Sequence, residues 1–368
     1  MPSYTDLDPA SERDRRTAER LLTIKDELEK EIPRRTVDNL LLATWNIREF
    51  DSPKYGERSK ESLLYIAEIV SRFDVVAIQE VRDDLEALNQ LRYYLGRWWR
   101  YILTDVTEGT PGNQERMAFL YDERKVSFGG LAGEVVIPPI AMGGSEYQPA
   151  NQLARTPFIV GFRVGWFAFT ICTTHILYGS AAAEDPRRVE EIGLLAQFLA
   201  ARANEPFAWA PNMILLGDFN IFSPEDLTMQ ALLDAGFIVP DGLKELPSNA
   251  PRTKFYDQIA FITMDASDQL AGAKGGVFNY YDTVYTDDDA KIYIDDMGAG
   301  YETTSKGDAR DEAGKSRYFR DWRTYQMSDH LPMWVELNTE FSGRYLKQKS
   351  EGQTPEEDAT PTMLRNVL

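Results

Sequence analysis

Short, nearly unbroken apolar runs recur along the chain, and several end abruptly in a polar or charged residue. Leu40 to Ile47 (L-L-L-A-T-W-N-I), Asp74 to Val81 (D-V-V-A-I-Q-E-V) and Met213 to Leu216 are too continuous for half-exposed strands and read as buried ones. Tyr101 to Leu103, Arg116 to Tyr121, Val126 to Phe128, Phe158 to Val164, Trp166 to Thr174, Asp257 to Thr263 and Pro332 to Leu337 are further strand candidates. Gly165 supplies a turn between two of them. A 3.6-residue rhythm predicts helices over Glu61–Phe73, Leu85–Leu95, Arg187–Ala203 and Pro224–Asp234, with Pro186 suited to a first helical turn. An amphipathic helix from about Ser11 to Lys30 opens the chain, carries Leu21, Leu22, Ile24 and Leu28, and stops at Pro33. It is expected to pack on the domain's edge.

Strands and helices alternate, yet several strands follow one another as hairpins. That mixture favours an α/β architecture of two packed sheets flanked by helices over one parallel sheet. No internal repeat of solenoid length is present. The polar, Gly- and Asp-rich stretch between Thr263 and Gln326 is too long for a simple connection and reads as an insertion, with some strand at V-F-N-Y-Y and mobile loops. The tail from about Ser342, with Gly352, Pro355 and Pro361, reads as disordered. The expected division is an N-terminal helical extension (1–36), a main α/β domain (37–341, insertion about 264–327) and a tail (342–368).

Composition narrows the function. Of 368 residues, 43% are hydrophobic, enough for a sizeable core, and 40 basic against 59 acidic residues leave a net charge of −19. A broad electrostatic nucleic-acid binder needs a basic face and is disfavoured. An enzyme acting on phosphates is not, because a divalent cation supplies local positive charge. The lone Cys172 sits in an apolar run and reads as an inert buried thiol, and the cysteine count excludes a cysteine zinc cluster. The N-terminus lacks an apolar signal core and no stretch is suited to spanning a bilayer, so a cytoplasmic protein without membrane contact is the expectation.

Chemistry gathers where the apolar runs stop. Asn46 and Glu80 end the first two buried strands, Asp218 and Asn220 follow Met213–Leu216, His175 ends the Trp166–Thr174 strand, and Asp329 and His330 precede the last strand. His175 and His330 are the chain's only histidines. An Asn or Asp at a strand end is ordinarily a turn or cap, and a lone histidine is ordinarily structural. Polar strand ends of a layered α/β fold, however, meet in one crevice, and this whole set suits metal-assisted phosphoester hydrolysis. Mg²⁺ prefers carboxylate and carbonyl oxygens, as Glu80 and Asn46 offer, with Mn²⁺ the alternative ion. Asp218, with Asn220 beside it, suits the orientation of an attacking water, and a carboxylate-held imidazole suits proton donation. Asp218 and Asn220 share alternation parity, so persisting extended backbone would point both the same way. No nucleophile elbow, Walker loop or dinucleotide fingerprint is present.

The ordered series W-N (Trp45, Asn46), Q-E-V (Gln79–Val81), E-R-M-A-F-L-Y (Glu115–Tyr121), T-T-H (Thr173–His175), G-D-F-N (Gly217–Asn220), Y-D-Q-I (Tyr256–Ile259) and S-D-H-L-P (Ser328–Pro332) resembles the endonuclease/exonuclease/phosphatase superfamily from about Leu40 to Leu337. The resemblance implies a four-layer α/β sandwich and a Mg²⁺-dependent phosphoesterase. It makes Glu80 the metal carboxylate, with Asn46 beside it, also near the substrate phosphate, and Asp329 a further metal-side ligand. Asp218 is the implied water-orienting residue supported by Asn220, His330 the phosphate-contacting histidine, and Asp257 its orienting carboxylate. His175 matches the second histidine of the deoxyribonuclease-like branch, and Arg155 in A-R-T-P-F resembles that branch's phosphate-binding arginine. Asp257 is followed by Gln258 where many relatives carry Arg or Tyr, which leaves its orienting role intact. The insertion is long for the family, and its tyrosines and acidic residues are candidates for shaping substrate choice. Arg116 is expected to pair with a carboxylate in the site's wall, and Arg187 or Arg188 is a weaker candidate for facing phosphate.

These features put a DNase-like nuclease first, with a nucleic-acid substrate and DNA ahead of RNA. A phosphatase or lipid phosphodiesterase on the same scaffold would want a basic pocket or an apolar membrane-touching loop. The adjacent Trp98 and Trp99 fit that less well than core packing. A catalytically inactive binding scaffold would have lost Glu80, Asp218, Asp257 or His330, and all four are present.

Overall fold

The computed structural model describes residues 2–50, 57–108, 113–143, 146–148, 150–206, 208–210, 212–262 and 273–352. In chain order its main elements are α1 (Glu12–Glu31), β1 (Asn39–Phe50), α2 (Lys60–Val70), β2 (Val75–Arg82), α3 (Glu86–Leu95), β3 (Trp99–Leu103), β4 (Glu115–Asp122), β5 (Ser127–Glu134), β6 (Ile140–Gly143) and β7 (Glu146–Gln148). There follow β8 (Phe158–Val164), β9 (Phe167–His175), α4 (Pro186–Ala203), β10 (Met213–Asp218), α5 (Leu227–Asp234), β11 (Asp257–Ile262), β12 (Gly275–Val277), α6 (Glu312–Gln326), β13 (Met333–Asn338) and α7 (Ser342–Ser350).

Among the described residues, two mixed sheets carry the fold: a six-stranded sheet ordered β12-β13-β1-β2-β4-β3 and a five-stranded sheet ordered β11-β10-β9-β8-β5. Each is built around one parallel pair, β1 with β2 and β10 with β9, and every other pairing is antiparallel. The alternation in β1 explains the layering. Leu40 and Leu42 pack with Val75, Ala77 and Phe119 in the cluster that also takes Phe162, Phe169 and Ile171 from the second sheet. Leu41, Ala43 and Trp45 enter a second cluster with Ile24 and Leu28 of α1, Leu64 of α2 and Leu88 of α3. Ile192, Leu195 and Leu199 of α4 and Leu232 of α5 join the cluster formed by the five-stranded sheet. The order is helices, sheet, sheet, helices. A strand covered on both faces has no reason to alternate in polarity, so these runs are apolar throughout.

Four expectations change. Ile24 and Leu28 are buried, but Leu22 is 64% exposed because it falls off the narrow stripe that α1 presents to the core. Residues 342–350 form a helix where disorder was expected; residues 353–368 lie outside the described set. The insertion, described from 273 onward, is packed and mostly helical. After β12 come 3₁₀ turns at Tyr280–Asp282 and Asp287–Ile292, two short helices, and α6, N-capped by Asp311. Its Tyr280, Tyr281, Tyr285, Tyr293 and Phe319 are buried in the cluster shared with α2 and β1. Polar composition hid this, because the aromatic residues that pay for its order are spaced irregularly. The pair Trp98–Trp99 divides: Trp99 is core, while Trp98 is 41% exposed with Arg97 over its ring.

If α1 belongs to the core, Ile24→Ala should lower unfolding free energy by about 2–4 kcal/mol, while Leu22→Ala should change it by under about 0.5 kcal/mol. Urea denaturation midpoints of the two variants test this, and equal small effects would mean that the helix merely lies on the surface.

Candidate active site

The inner faces of both sheets become polar at one end of the sandwich. In the buried layer just before it, Gln79 Nε2 donates to Thr44 Oγ1 at 3.1 Å and to Thr173 Oγ1 of the opposite sheet at 2.8 Å. Beyond it lie Asn46, Glu80, His175, Asp218, Asp257 and His330.

Glu80 arrives there through a backbone irregularity. Val75 and Ala77 face the sandwich interior, whereas Val76 and Ile78 face the helices. Simple alternation would send Glu80 toward the helices. Instead the ladders on both sides of β2 shift register, Glu80 takes φ 62°, and Val81 resumes the helix-facing side. This extra residue is a bulge that re-aims one side chain. Asn46 Nδ2 donates to Glu80 Oε1 at 3.0 Å, and the Glu49 amide, itself at φ 50°, donates to Glu80 Oε2 at 2.8 Å.

Asp218 is placed by Gly217. That glycine has φ +135°, and a Cβ there would stand 2.0 Å from the Thr174 carbonyl oxygen, so the parallel partner strand admits nothing larger. The register then sets Asp218 opposite His175. Asp218 Oδ1 accepts the Asn220 amide at 2.9 Å and Oδ2 accepts Asn46 Nδ2 at 2.9 Å. Asn220 does not continue the strand. Its φ is 52°, so the parity expectation fails, and its side-chain Nδ2 donates to the Ile176 carbonyl at 2.9 Å, bracing the turn.

Both histidines converge on Asp218. His175 Nε2 is 3.5 Å and His330 Nε2 3.6 Å from the same Oδ2 atom. Each ring is held from behind by a carboxylate on Nδ1: Glu115 Oε2 for His175 and Asp257 Oδ2 for His330, both at 2.8 Å. Burial, first, and the Arg155 charge lower the His175 pKa, but Glu115 and Asp218 outweigh them and raise it. Burial likewise opposes protonation of His330, and Asp257, Asp218 and Asp329 overcome it, lifting its pKa well above the usual value. Burial raises the Glu115 carboxyl, and His175, Arg155 and Asn113 together bring it down to about 2. Both imidazoles are therefore held toward the protonated, donating form.

Glu115 opens the E-R-M-A-F-L-Y motif, which by itself assigns it no role. Its signal was the matching need of two buried histidines for two carboxylates. Arg155 also meets it, with Nε 3.0 Å from Oε2, and the buried Nη1 of Arg155 has no partner among the described residues. Arg116 instead binds the Thr104 carbonyl at 2.9 Å and Asp105 at 3.3 Å, a structural use. Both candidate helix arginines are engaged within the chain: Arg187 pairs with Asp185, and the buried Arg188 holds backbone carbonyls of Leu177, Tyr178, Ser180, Ala182 and Ala183. Asp329 is 42% exposed at the rim, with Arg48 Nε at 3.8 Å. The turn before it is braced by the insertion, since the Tyr280 hydroxyl lies 2.8 Å from the carbonyl oxygens of Ser328 and His330. Buried Tyr280 thus braces the backbone that carries Asp329 and His330.

The donor set fits a hard cation. Among the described residues the buried Oδ1 of Asn46 has no partner, and it belongs to the residue that bridges Glu80 and Asp218. Burial and the neighbouring charges of Glu115 and Asp329 raise the Glu80 pKa, with His175 and the Glu49 amide opposing, so a cation would relieve a crowded carboxylate. Among the described residues no three His, Cys, Asp or Glu side chains form a closed metal cage. One carboxylate, one amide oxygen and rim Asp329 suit an ion that keeps most of its waters, as Mg²⁺ does.

With this geometry in view the comparisons are consistent. The model of the Endonuclease/Exonuclease/phosphatase family matches residues 43–295, and the chain belongs to that family. Its name covers enzymes that cut phosphodiester and phosphate ester bonds. Bovine deoxyribonuclease-1 is 37% identical over 94 residues, 24% of this chain and 32% of that protein. Rat deoxyribonuclease-1 is 36% identical over 93 residues, with the same shares. The chain thus aligns with about a third of the length of these curated relatives. A crystal structure of an endonuclease/exonuclease/phosphatase family protein from Bacteroides thetaiotaomicron superposes with TM-score 0.51 and 18% identity, covering 82% of this chain and 98% of that one, a likeness of fold.

Replacing Glu115 by Gln should flatten the pH dependence of thermal stability measured in EDTA. His175, with a raised folded pKa, contributes stability below about pH 6.5 that is lost as pH rises through the folded value. Glu115, depressed to about 2, contributes above about pH 4.5 and loses that as pH falls. The wild type should therefore lose more Tm than Glu115→Gln toward both pH 9 and pH 3. Superimposable profiles would mean that the pair is not formed.

Proposed function

We propose that this chain is a divalent-metal-dependent phosphodiesterase, acting as a DNase-like nuclease. The observation that carries the reading is the convergence of two carboxylate-backed imidazoles on one oxygen of Asp218. In this reading Asp218 orients the attacking water and accepts its proton, while Asn220 and Gly217 fix the turn that presents it. His330 and His175, both raised toward protonation, donate hydrogen bonds to the phosphoryl oxygens, and one of them delivers a proton as charge develops. Asp257 and Glu115 keep the tautomer and the orientation. Arg155 brings to the phosphate its buried Nη1, which has no partner among the described residues. Glu80 and Asn46, with Asp329 at the rim, would hold Mg²⁺ or Mn²⁺, which when bound polarises the phosphoryl group and stabilises the leaving oxygen. The partial identity to deoxyribonuclease-1 supports DNA as substrate ahead of RNA. No helix among the described residues is long and apolar enough to cross a membrane, and nothing specific favours a lipid substrate.

Supercoiled plasmid should be nicked in Mg²⁺ or Mn²⁺ and left intact in EDTA. Asp218→Asn and His330→Ala should each reduce the rate by at least about 100-fold with unchanged circular dichroism. Glu80→Gln should raise the Mg²⁺ concentration for half-maximal rate by about tenfold or more. Nicking that persists in EDTA or in His330→Ala would overturn the assignment. Absence of nicking with either metal would move the same site to phosphorylated small molecules, to be assayed against the same variant.

A further inference from the structure

One wall of the crevice is aromatic, and the chemistry above does not use it. The Tyr256 ring lies 5.5 Å from the His330 ring, Phe222 lies 5.6 Å from Tyr256, and Tyr178 lies 6.0 Å from Phe222. Cations interleave with these rings. Lys254 Nζ stands 4.1 Å from the Phe222 centroid, and the Arg188 guanidinium 4.8 Å from Phe222 and 5.4 Å from Tyr178. Phe222 is buried and forms the inside of the wall, whereas Tyr178 is 44% exposed. Burial first, then Tyr178, Asp218 and Asp329, push the Tyr256 hydroxyl up to about 12, which puts that phenol within the field of the site's carboxylates. Among the described residues, neither the Tyr178 nor the Tyr256 hydroxyl has a hydrogen-bond partner, and no carboxylate lies within 4 Å of Lys254 Nζ.

The wall is built rigid. Arg188 binds five carbonyls of the segment carrying Tyr178. Asn249 Oδ1 accepts the Thr253 amide at 2.7 Å and the Lys254 amide at 2.8 Å, closing the turn that carries Lys254. Surfaces that need no ordering on binding lose less free energy to it. A planar group stacked on tyrosine, with an anion beside it, matches a base and its phosphate. Bases inside a duplex are turned inward and covered by their neighbours, so only an unpaired base reaches such a wall. With 59 acidic against 40 basic residues, backbone charge alone attracts nucleic acid weakly, and stacking supplies what charge does not.

We infer that this wall is a subsite for an unpaired nucleobase flanking the scissile phosphate, with Tyr178 as the stacking surface and Lys254 on an adjoining phosphate, making single-stranded nucleic acid the preferred substrate. The inference rests on the nuclease reading and refines it.

Binding and cutting are measured separately. In EDTA, fluorescence anisotropy compares a dye-labelled ten-thymidine strand, the same strand built from abasic residues, and a hairpin duplex. The base-bearing strand should bind at least about tenfold more tightly than either of the others. Tyr178→Ala should weaken its binding about 5–30-fold while leaving the abasic strand within about twofold, and Tyr178→Trp should retain it. Lys254→Gln should reduce the slope of log affinity against log salt by about 0.7. Equal binding of base-bearing and abasic strands, tightest binding of the duplex, or an unaffected Tyr178→Ala protein would overturn the subsite. A protein that binds as expected but cuts nothing keeps the subsite and loses the nuclease assignment. One that nicks plasmid yet ignores bases does the reverse.

Discussion

The hydrogen bond from Asn46 to Asp218, 2.9 Å across the mouth of the sandwich, is the contact on which the site depends. It joins the end of β1 in one sheet to the end of β10 in the other. Both partners are buried, so the amide and carboxylate keep the pairing only while the sheets hold their spacing. The layer beneath repeats the arrangement in neutral groups, with Gln79 reaching Thr173. These polar bridges fix the offset between sheets that apolar packing alone, being non-directional, would leave loose.

Around that contact the backbone is irregular at several points. Glu49, Glu80 and Asn220 all have positive φ, and Gly217 has no room for a side chain. The departure at Glu80 turns its carboxylate into the crevice, and those at Glu49 and Asn220 place the backbone amides that hold Glu80 and Asp218. The two histidines show the same economy: a carboxylate behind each ring and a shared oxygen in front orient them without mobile parts. The insertion contributes by packing, placing Tyr280 beneath the turn that carries Asp329 and His330.

Much of this was legible in the chain. Buried strands declared themselves as apolar runs, and the polar residues that ended them were the ones brought together. Sequence order alone could not show that Glu115, Arg155 and His175 share one cluster, since they come from separate parts of the chain and meet only after the sheets stack. Nor could it show that Arg188 would be consumed by carbonyls while the buried Nη1 of Arg155 has no partner among the described residues, because the pairing of a guanidinium is a property of its surroundings.

The sequence by itself determined the family, the two-sheet α/β class and the residue types at the strand ends, because periodicity and short motifs are local. Tertiary structure decided which way those residues point. Alternation predicts Glu80 on the helix side, and the bulge in β2 reverses it. Parity predicts Asn220 beside Asp218, and the positive φ at Asn220 sends its side-chain amide to Ile176. It also decided that a polar insertion would fold, since its buried tyrosines join the cluster shared with α1, α2 and β1. The physical reason is common to all three. Backbone irregularity and burial are settled by long-range contacts that no window of sequence contains.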